Sequence, residues 1–186
     1  MKMIPVMCPE STQSHAEREI FNLLSNLDIP GIVMYSLQLN KHVTKLQSEI
    51  DFVLISERGI LCLEVKGGDV THHDGMWEYT NSTGNVFKHH EGPFEQASTG
   101  AQSLRLYIKD NYKKKELHKY KTCLYGHGVL FPDIVFSQKG PGIDNEIIYD
   151  KYKYQKIENF INHLYDYWES KPVSYTHLTL PTKRIV

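Results

Sequence analysis

The sequence has few of the features that mark secreted, membrane-spanning or thiolate-zinc proteins. Its three cysteines, Cys8, Cys62 and Cys123, are widely spaced and include no C-x-x-C pair, which argues against a disulfide scaffold or a zinc site. No apolar run approaches the roughly 20 residues of a membrane span. The proline-interrupted start of the chain is too short for a signal peptide. These absences favour a cytoplasmic location with reduced thiols and no membrane contact.

The chain also has almost no net charge. Its 21 lysines and arginines against 22 aspartates and glutamates give −1, so nucleic-acid binding would depend on a local patch. A P-loop, a Gly-rich dinucleotide fingerprint and a Ser-His-Asp pattern are absent, which removes the enzyme classes that use them. Hydrophobic residues make up 40% of the 186 residues, enough for the core of one domain.

Hydrophobic spacing predicts a helix, then a run of strands, and then helix, strand and helix. Helices are predicted for the segment that carries Ile20 to Leu27, from about Phe94 to Lys115, and from Ile157 to Trp168. Strands are predicted at residues 32–37, 49–55, 60–66, 76–80, 85–88 and 123–131, with a further edge strand at 146–149. This order predicts an α/β fold with a central mixed sheet flanked by helices.

The last residues of the chain differ in character from the rest. Residues 173–186 have neither helical nor clear strand periodicity and look like translated cloning or adapter sequence. We therefore expect one domain over residues 1–172, a non-native tail over 173–186, and a natural protein that continues past Pro172.

Charged residues stand in two neighbouring apolar strands. Side chains alternate between faces on strand 60–66, so Glu64 and Lys66 point the same way. Asp51 lies on the preceding strand, and a hairpin would place its carboxylate beside that of Glu64. Two converging carboxylates suit Mg²⁺ or Mn²⁺, which can polarise a phosphate, while an adjacent lysine stabilises developing negative charge.

Five segments follow one another in an order typical of one nuclease family. They are Ala16-Glu17-Arg18, Glu49 to Leu54, Gly59 to Gly68, Gly92 to Ala97 and Val129 to Asp133. From about Ser14 to Asp133, the chain resembles the nuclease-related domain (NERD) family of the restriction-endonuclease-like PD-(D/E)xK superfamily. The resemblance implies a restriction-endonuclease-like three-layer core and metal-dependent cleavage of DNA.

The resemblance also implies a role for each matching residue. It places the metal on Asp51 and Glu64, assigns transition-state stabilisation to Lys66, and makes Glu17 and Gln96 supporting catalytic residues. Members of the family are often joined to helicase or other segments, and many members of the superfamily dimerise to cut two strands. A longer native protein and a homodimer are therefore among the expectations.

A basic segment follows the second predicted helix. Residues 105–121 hold seven basic and two acidic side chains, a local charge of +5, while the remaining 14 basic and 20 acidic residues give −6. Such a patch could hold the nucleic-acid backbone. Its candidate binding residues are Arg105, Lys109, Lys113, Lys114, Lys115 and Lys119. The alternative is a solvated helix end whose lysines complement the helix dipole.

Each candidate site residue also has a purely structural interpretation. Glu64 and Lys66 could form an exposed ion pair worth less than about 1 kcal/mol. Ser14 and Glu17 match a capping box, in which the glutamate reaches back to a backbone N–H. Asp51 could cap a strand end, and Gln96 could bond backbone.

The ten histidines include the adjacent pairs His72-His73 and His89-His90. Neighbouring residues of a strand point to opposite faces, so neither pair forms a natural metal clamp, and surface positions are favoured. Their places in the sequence still allow one of them to contact a phosphate or assist proton transfer.

The sequence thus predicts a nuclease-like enzyme that hydrolyses phosphodiester bonds of DNA with Mg²⁺ or Mn²⁺, in DNA processing or repair within a longer protein. The residues do not distinguish DNA from RNA. The alternative is a non-catalytic module that uses the same fold to dock nucleic acid or a partner domain.

Overall fold

The computed structural model describes residues 1–39, 48–81, 83–111 and 123–171. Within these residues the chain forms three α-helices, α1 (His15–Ser25), α2 (Pro93–Asn111) and α3 (Ile157–Ser170). The strands are β1 (Lys2–Ile4), β2 (Ile32–Leu39), β3 (Ser48–Ser56), β4 (Gly59–Val65), β5 (Asp69–His73), β6 (Met76–Thr80), β7 (Val86–His89), β8 (Tyr125–Phe131) and β9 (Ile148–Asp150).

The larger sheet has six strands in the order β1-β2-β3-β4-β8-β9. Strands β2, β3 and β4 run antiparallel to their neighbours within this trio, whereas β1, β8 and β9 pair in parallel with theirs, so the sheet is mixed. Strand β4 is buried along its full length at the centre. Strands β5, β6 and β7 form a second, antiparallel sheet of their own.

Helices cover both faces of the larger sheet. Ile20 and Leu24 of α1, together with Phe160 and Leu164 of α3, join one apolar cluster that includes Leu63 of β4. On the other face, α2 packs through a second cluster. The members of that second cluster are Leu39, Ile50, Val53, Ile60, Cys62, Ala101, Leu104 and Ile108. The predicted three-layer α/β core with a central mixed sheet is confirmed.

Sequence spacing located most of the elements correctly. It missed β1 and β5, which are short strands with little apolar alternation of their own and which depend on pairing with a neighbour. The predicted edge strand at 146–149 is shifted, because Asn145–Ile147 form a 3-10 turn capped by Asp144 and the strand begins at Ile148. The predicted helix end at Lys115 and the tail 173–186 lie outside the described residues.

No helix in the described parts of the chain is long and apolar enough to cross a membrane.

Helix α3 is attached to β8 through His127. The indole N–H of Trp168 donates to the His127 carbonyl oxygen at 2.9 Å, and the imidazole and indole ring centroids lie 4.6 Å apart. Burial lowers the pKa of His127 to about 4, so the folded chain keeps this ring neutral at pH 5.

The lowered pKa of His127 predicts that the free energy of unfolding depends on pH. Below a pH of about 6.5 the unfolded chain binds a proton at this residue that the folded chain does not, so the His127 contribution falls by about 2 kcal/mol between pH 7 and pH 5. Urea unfolding of wild type and His127→Gln should show their difference in unfolding free energy shifting by that amount in favour of the variant. A difference that stays constant with pH, or one equally large for the exposed His90→Gln, would contradict the prediction.

Candidate active site

The site forms where β3 and β4 separate. The register between these strands ends at Phe52 opposite Leu63. Beyond this pair, the Val65 N–H donates to Oδ2 of Asp51 at 2.8 Å instead of extending the backbone ladder. The Asp51 carboxylate thus stands between the diverging strands and is fixed by a main-chain donor.

The sheet is also irregular on the other side of Asp51. Ser36 of β2 would face Asp51, but pairing skips this position and Ser36 adopts a left-handed backbone with φ 55°. Across the same point of β3, Ile50 packs with the α2 cluster, whereas Phe52 packs with the opposite cluster. Backbone in this region of φ/ψ space costs on the order of 1 kcal/mol for a non-glycine residue and is concentrated at functional sites.

Glu64 and Lys66 form an ion pair that is mostly shielded from water. Nζ of Lys66 lies 2.6 Å from Oε1 of Glu64, and the two side chains are 25% and 9% exposed. The ion pair considered from the sequence therefore exists, but it is mostly buried rather than exposed. Because both groups lose water, this contact differs from a surface pair of little energetic effect.

The surroundings oppose full ionisation of the two carboxylates. Burial raises the pKa of Asp51 well above its usual range, and the charge of Glu64 adds to this. Burial likewise raises the pKa of Glu64, against the opposing effect of Lys66. Burial alone would lower the pKa of Lys66, but Glu64 and Asp51 outweigh it and the net shift is upward. Burial is thus the main reason that the charged forms of both carboxyl groups are disfavoured, and one ammonium offsets it only in part.

Glu17 joins the site from α1. The Glu17 N–H donates to the Ser14 hydroxyl at 3.2 Å, which confirms Ser14 as the helix cap. The Glu17 carboxylate accepts from the Tyr35 hydroxyl at 2.7 Å. Of the capping box considered from the sequence, the described residues show only the half made by the Ser14 hydroxyl. Glu17 and Tyr35 also line an open groove of about 550 Å³. Glu17 raises the pKa of both Asp51 and Glu64, which places it in the same electrostatic cluster.

Gln96 lies in the first turn of α2 and is linked to the other candidate residues through Glu91, whose charge acts on Glu64. Its backbone N–H donates to the Gly92 carbonyl at 3.0 Å, and its side-chain Nε2 donates to Glu91 at 3.4 Å. Its Oε1 atom is buried and has no hydrogen-bond partner among the described residues. A buried polar atom without a partner is uncommon, and here it marks a position that a polar group could fill.

Two further residues, which the sequence patterns did not indicate, lie beside Lys66 and Glu64. Tyr79 of β6 has its ring 5.7 Å from Nζ of Lys66, and its buried hydroxyl has no partner within the described ranges. Burial raises the pKa of Tyr79 to about 12, so the hydroxyl stays protonated at neutral pH. Glu91, two residues after the end of β7, acts electrostatically on Glu64. Both reach the site through packing of the small sheet, for which the local sequence carries no signal.

Comparison with known proteins now adds a family. The model described as NERD, nuclease-related domain, matches residues 12–137, about two thirds of the chain. The chain belongs to the NERD family. The match confirms the family resemblance, supports a nuclease-related function, and spans Glu17, Asp51, Glu64, Lys66 and Gln96. No curated protein and no solved structure matches the chain.

In this NERD domain, a glycine turn holds the small sheet against the end of β4. Gly68 has φ +73°, and a Cβ on it would lie 2.1 Å from the Thr80 carbonyl oxygen, so only glycine fits. The Gly68 N–H donates to Oδ2 of Asp133 at 2.7 Å, so the residue after Pro132 helps to hold this turn. The turn immediately after Lys66 thus places β6, and with it Tyr79, at the site.

Of the six predicted nucleic-acid-binding residues, the structure describes only Arg105 and Lys109. Arg105 and Lys109 lie on α2, 9 and 13 residues beyond Gln96, which is about 14 and 20 Å along the helix axis. Lys113, Lys114, Lys115 and Lys119 lie outside the described residues. A duplex that touches both Gln96 and Lys109 would have to extend over roughly six base pairs, at about 3.4 Å each.

A separate group of possible metal ligands includes Asp133, which contacts the glycine turn. The ligand atoms of His15, Glu19 and Asp133 lie within 4.8 Å of one another. The sequence analysis did not select this group, whose members are far apart in the chain. Any measurement of cation binding at Asp51 and Glu64 therefore needs His15→Ala as a companion variant.

The cost of burying the Asp51 carboxylate should be measurable in the free energy of unfolding of the metal-free NERD domain. Asp51→Asn keeps an oxygen that can accept from the Val65 N–H but removes a charge that its surroundings disfavour. We expect it to raise the free energy of unfolding by about 1 kcal/mol at pH 7 in EDTA. The gain should shrink as the pH falls, because the wild-type carboxyl group then takes up a proton.

Urea unfolding in EDTA measures this effect, with the exposed Asp28→Asn as the matched control. An unchanged or lower stability for Asp51→Asn would show that the carboxylate is well compensated in the folded protein.

Proposed function

We propose that this NERD domain hydrolyses phosphodiester bonds of DNA with Mg²⁺ or Mn²⁺ held by Asp51 and Glu64. One observation carries the proposal: two carboxylates with raised pKa values stand together where the central strands diverge, beside a lysine that bridges to one of them. Perturbed ionisable groups of this kind concentrate at catalytic centres.

The residues fit a divalent cation of the hard type. Carboxylate oxygens are the ligands that Mg²⁺ and Mn²⁺ prefer, and a divalent cation would stabilise the charged forms of two carboxyl groups that burial disfavours. Gln96, whose Oε1 atom has no partner among the described residues, is tied to Glu91, a residue whose charge acts on Glu64. When bound, the cation would polarise the scissile phosphate and lower the pKa of a water molecule.

The protein groups would act around that centre. The ammonium of Lys66, held in place by Glu64, is positioned to stabilise the negative charge that develops on the phosphate oxygens. Its raised pKa keeps it charged at neutral pH, as this role requires. Glu17, fixed by the Tyr35 hydroxyl, and Gln96, fixed by Glu91, would orient the attacking water through hydrogen bonds.

Cleavage of labelled single-stranded, double-stranded and branched DNA and of RNA tests this proposal. The full chain should cut in Mg²⁺ or Mn²⁺ and not in EDTA, and Lys66→Ala should lower the rate by about 100-fold or more. The matched control is Lys88→Ala, which removes the lysine of another Lys–Glu pair, formed with Glu78 on the small sheet.

One set of results would contradict a catalytic function. If no metal supports cleavage, while wild type and Lys66→Ala bind DNA equally and with the same salt dependence, the fold acts as a docking module. Equal loss of activity in Lys66→Ala and Lys88→Ala would point to general damage rather than to a role of Lys66.

The basic segment is proposed to grip the nucleic-acid backbone. Replacing Lys113, Lys114 and Lys115 together by glutamine should reduce the slope of log affinity against log salt by up to about 3, since each phosphate contact contributes roughly 1. The control replaces three exposed lysines elsewhere, Lys139, Lys151 and Lys156. An unchanged slope in the first variant, or an equal reduction in the control, would count against the segment.

A further inference from the structure

One face of the small sheet carries a row of aromatic side chains. In the pairing of β6 with β7, Tyr79 stands opposite Phe87 and Trp77 opposite His89, so these four residues share one face. Trp77 is buried, with its ring 5.8 Å from that of Phe94 in α2. This contact turns the shared face, here termed the inner face, toward the body of the domain.

The inner face begins at the candidate active site and continues outward. Tyr79 lies over Lys66, with 5.7 Å between Nζ and the ring centroid. Phe87 lies on the neighbouring strand β7, and the usual cross-strand spacing puts its Cβ atom about 5 Å from that of Tyr79. The His89 ring lies 5.8 Å from that of Tyr79. Aromatic rings thus lead from the lysine to the outer strand of the small sheet.

Phe87 does not contribute to the core of the domain. Its side chain is 51% exposed, and it belongs to neither apolar cluster. The opposite face of β7 is different in chemistry, because Lys88 there pairs with Glu78. The neighbouring Val86, also on that opposite face, is 52% exposed. Phe87 and Val86 are thus about equally exposed, but only Phe87 is aromatic, and the two side chains lie on opposite faces of β7.

An exposed aromatic ring beside a phosphate site has a specific use in nucleic-acid binding. Bases of a single strand stack on aromatic side chains without regard to sequence, whereas bases inside a duplex are already paired and stacked. The ammonium of Lys66 offers a partner for the phosphate, and Phe87 lies a cross-strand step beyond Tyr79. The chemistry of the inner face therefore fits a nucleotide whose base is free.

We propose that Phe87, assisted by His89, stacks an unpaired base of a strand whose phosphate lies at Lys66, so that the ligand is single-stranded nucleic acid or an unpaired end. This inference rests on the proposed function in taking the Lys66 site as the phosphate position. It deepens that function by naming the strand state of the substrate.

Binding in EDTA separates this inference from hydrolysis. The probe is a fluorescein-labelled single strand of roughly 12 nucleotides, with the same sequence as a blunt duplex for comparison. Phe87→Ser should weaken binding of the single strand by about fivefold or more and change duplex binding by less than about twofold. Phe87→Trp should retain single-strand binding. Val86→Ser, at an equally exposed neighbouring position on the other face, should behave as wild type.

Each outcome decides the matter. Equal weakening in Phe87→Ser and Val86→Ser, or equal weakening for both probes, would overturn the inference. Loss of self-association in Phe87→Ser with unchanged DNA binding would overturn it in favour of a second copy of the chain. If the Phe87-dependent preference for single strands is observed but no metal supports cleavage, the stacking surface stands and the proposed hydrolysis fails. If a metal supports cleavage but Phe87→Ser binds both probes like wild type, the proposed hydrolysis stands and the stacking surface fails.

Discussion

The structure of the site depends on one hydrogen bond, from the Val65 N–H to the carboxylate of Asp51. It stabilises a charged side chain at the point where the backbone ladder between β3 and β4 stops. A regular ladder would satisfy the same N–H with a carbonyl and would leave no room for a carboxylate between the strands. Where the strands diverge, one main-chain hydrogen bond is therefore replaced by a bond to an acidic side chain held within the sheet. Glu64 on β4 supplies the second carboxylate.

The rest of the local structure accommodates this exchange. The left-handed backbone at Ser36 interrupts β2 opposite Asp51, and the glycine turn after Lys66 admits the small sheet close to the end of β4. Lys66 neutralises part of the charge, and the Tyr35 hydroxyl fixes Glu17 nearby. These features leave the region with carboxyl groups whose charged forms are disfavoured and, within the described parts of the chain, with buried polar atoms that have no partner. Such an arrangement costs folding stability and is characteristic of a site that binds a cation or substrate.

The sequence predicted the features that follow from strand periodicity. Alternation along residues 60–66 placed Glu64 and Lys66 on one face, and the hairpin with the preceding strand brought Asp51 to them. It could not predict that the Glu64–Lys66 pair is shielded from water, because shielding comes from residues distant in the chain. Tyr79 and Glu91 were missed for the same reason: they lie on or beside a small sheet whose docking depends on Gly68 and Trp77. The order of five short segments, rather than any one of them, identified the family.

Helix α3 has a consequence for how the family should be delimited. The matched region ends at residue 137, yet Phe160, Ile161, Leu164 and Tyr165 of α3 have no solvent-accessible surface and close one face of the central sheet. The region that matches the family is therefore shorter than the region that forms the core of the domain. A fragment cut at the family boundary would expose a broad apolar surface over β8, and loss of activity in such a fragment would report on solubility rather than on catalysis.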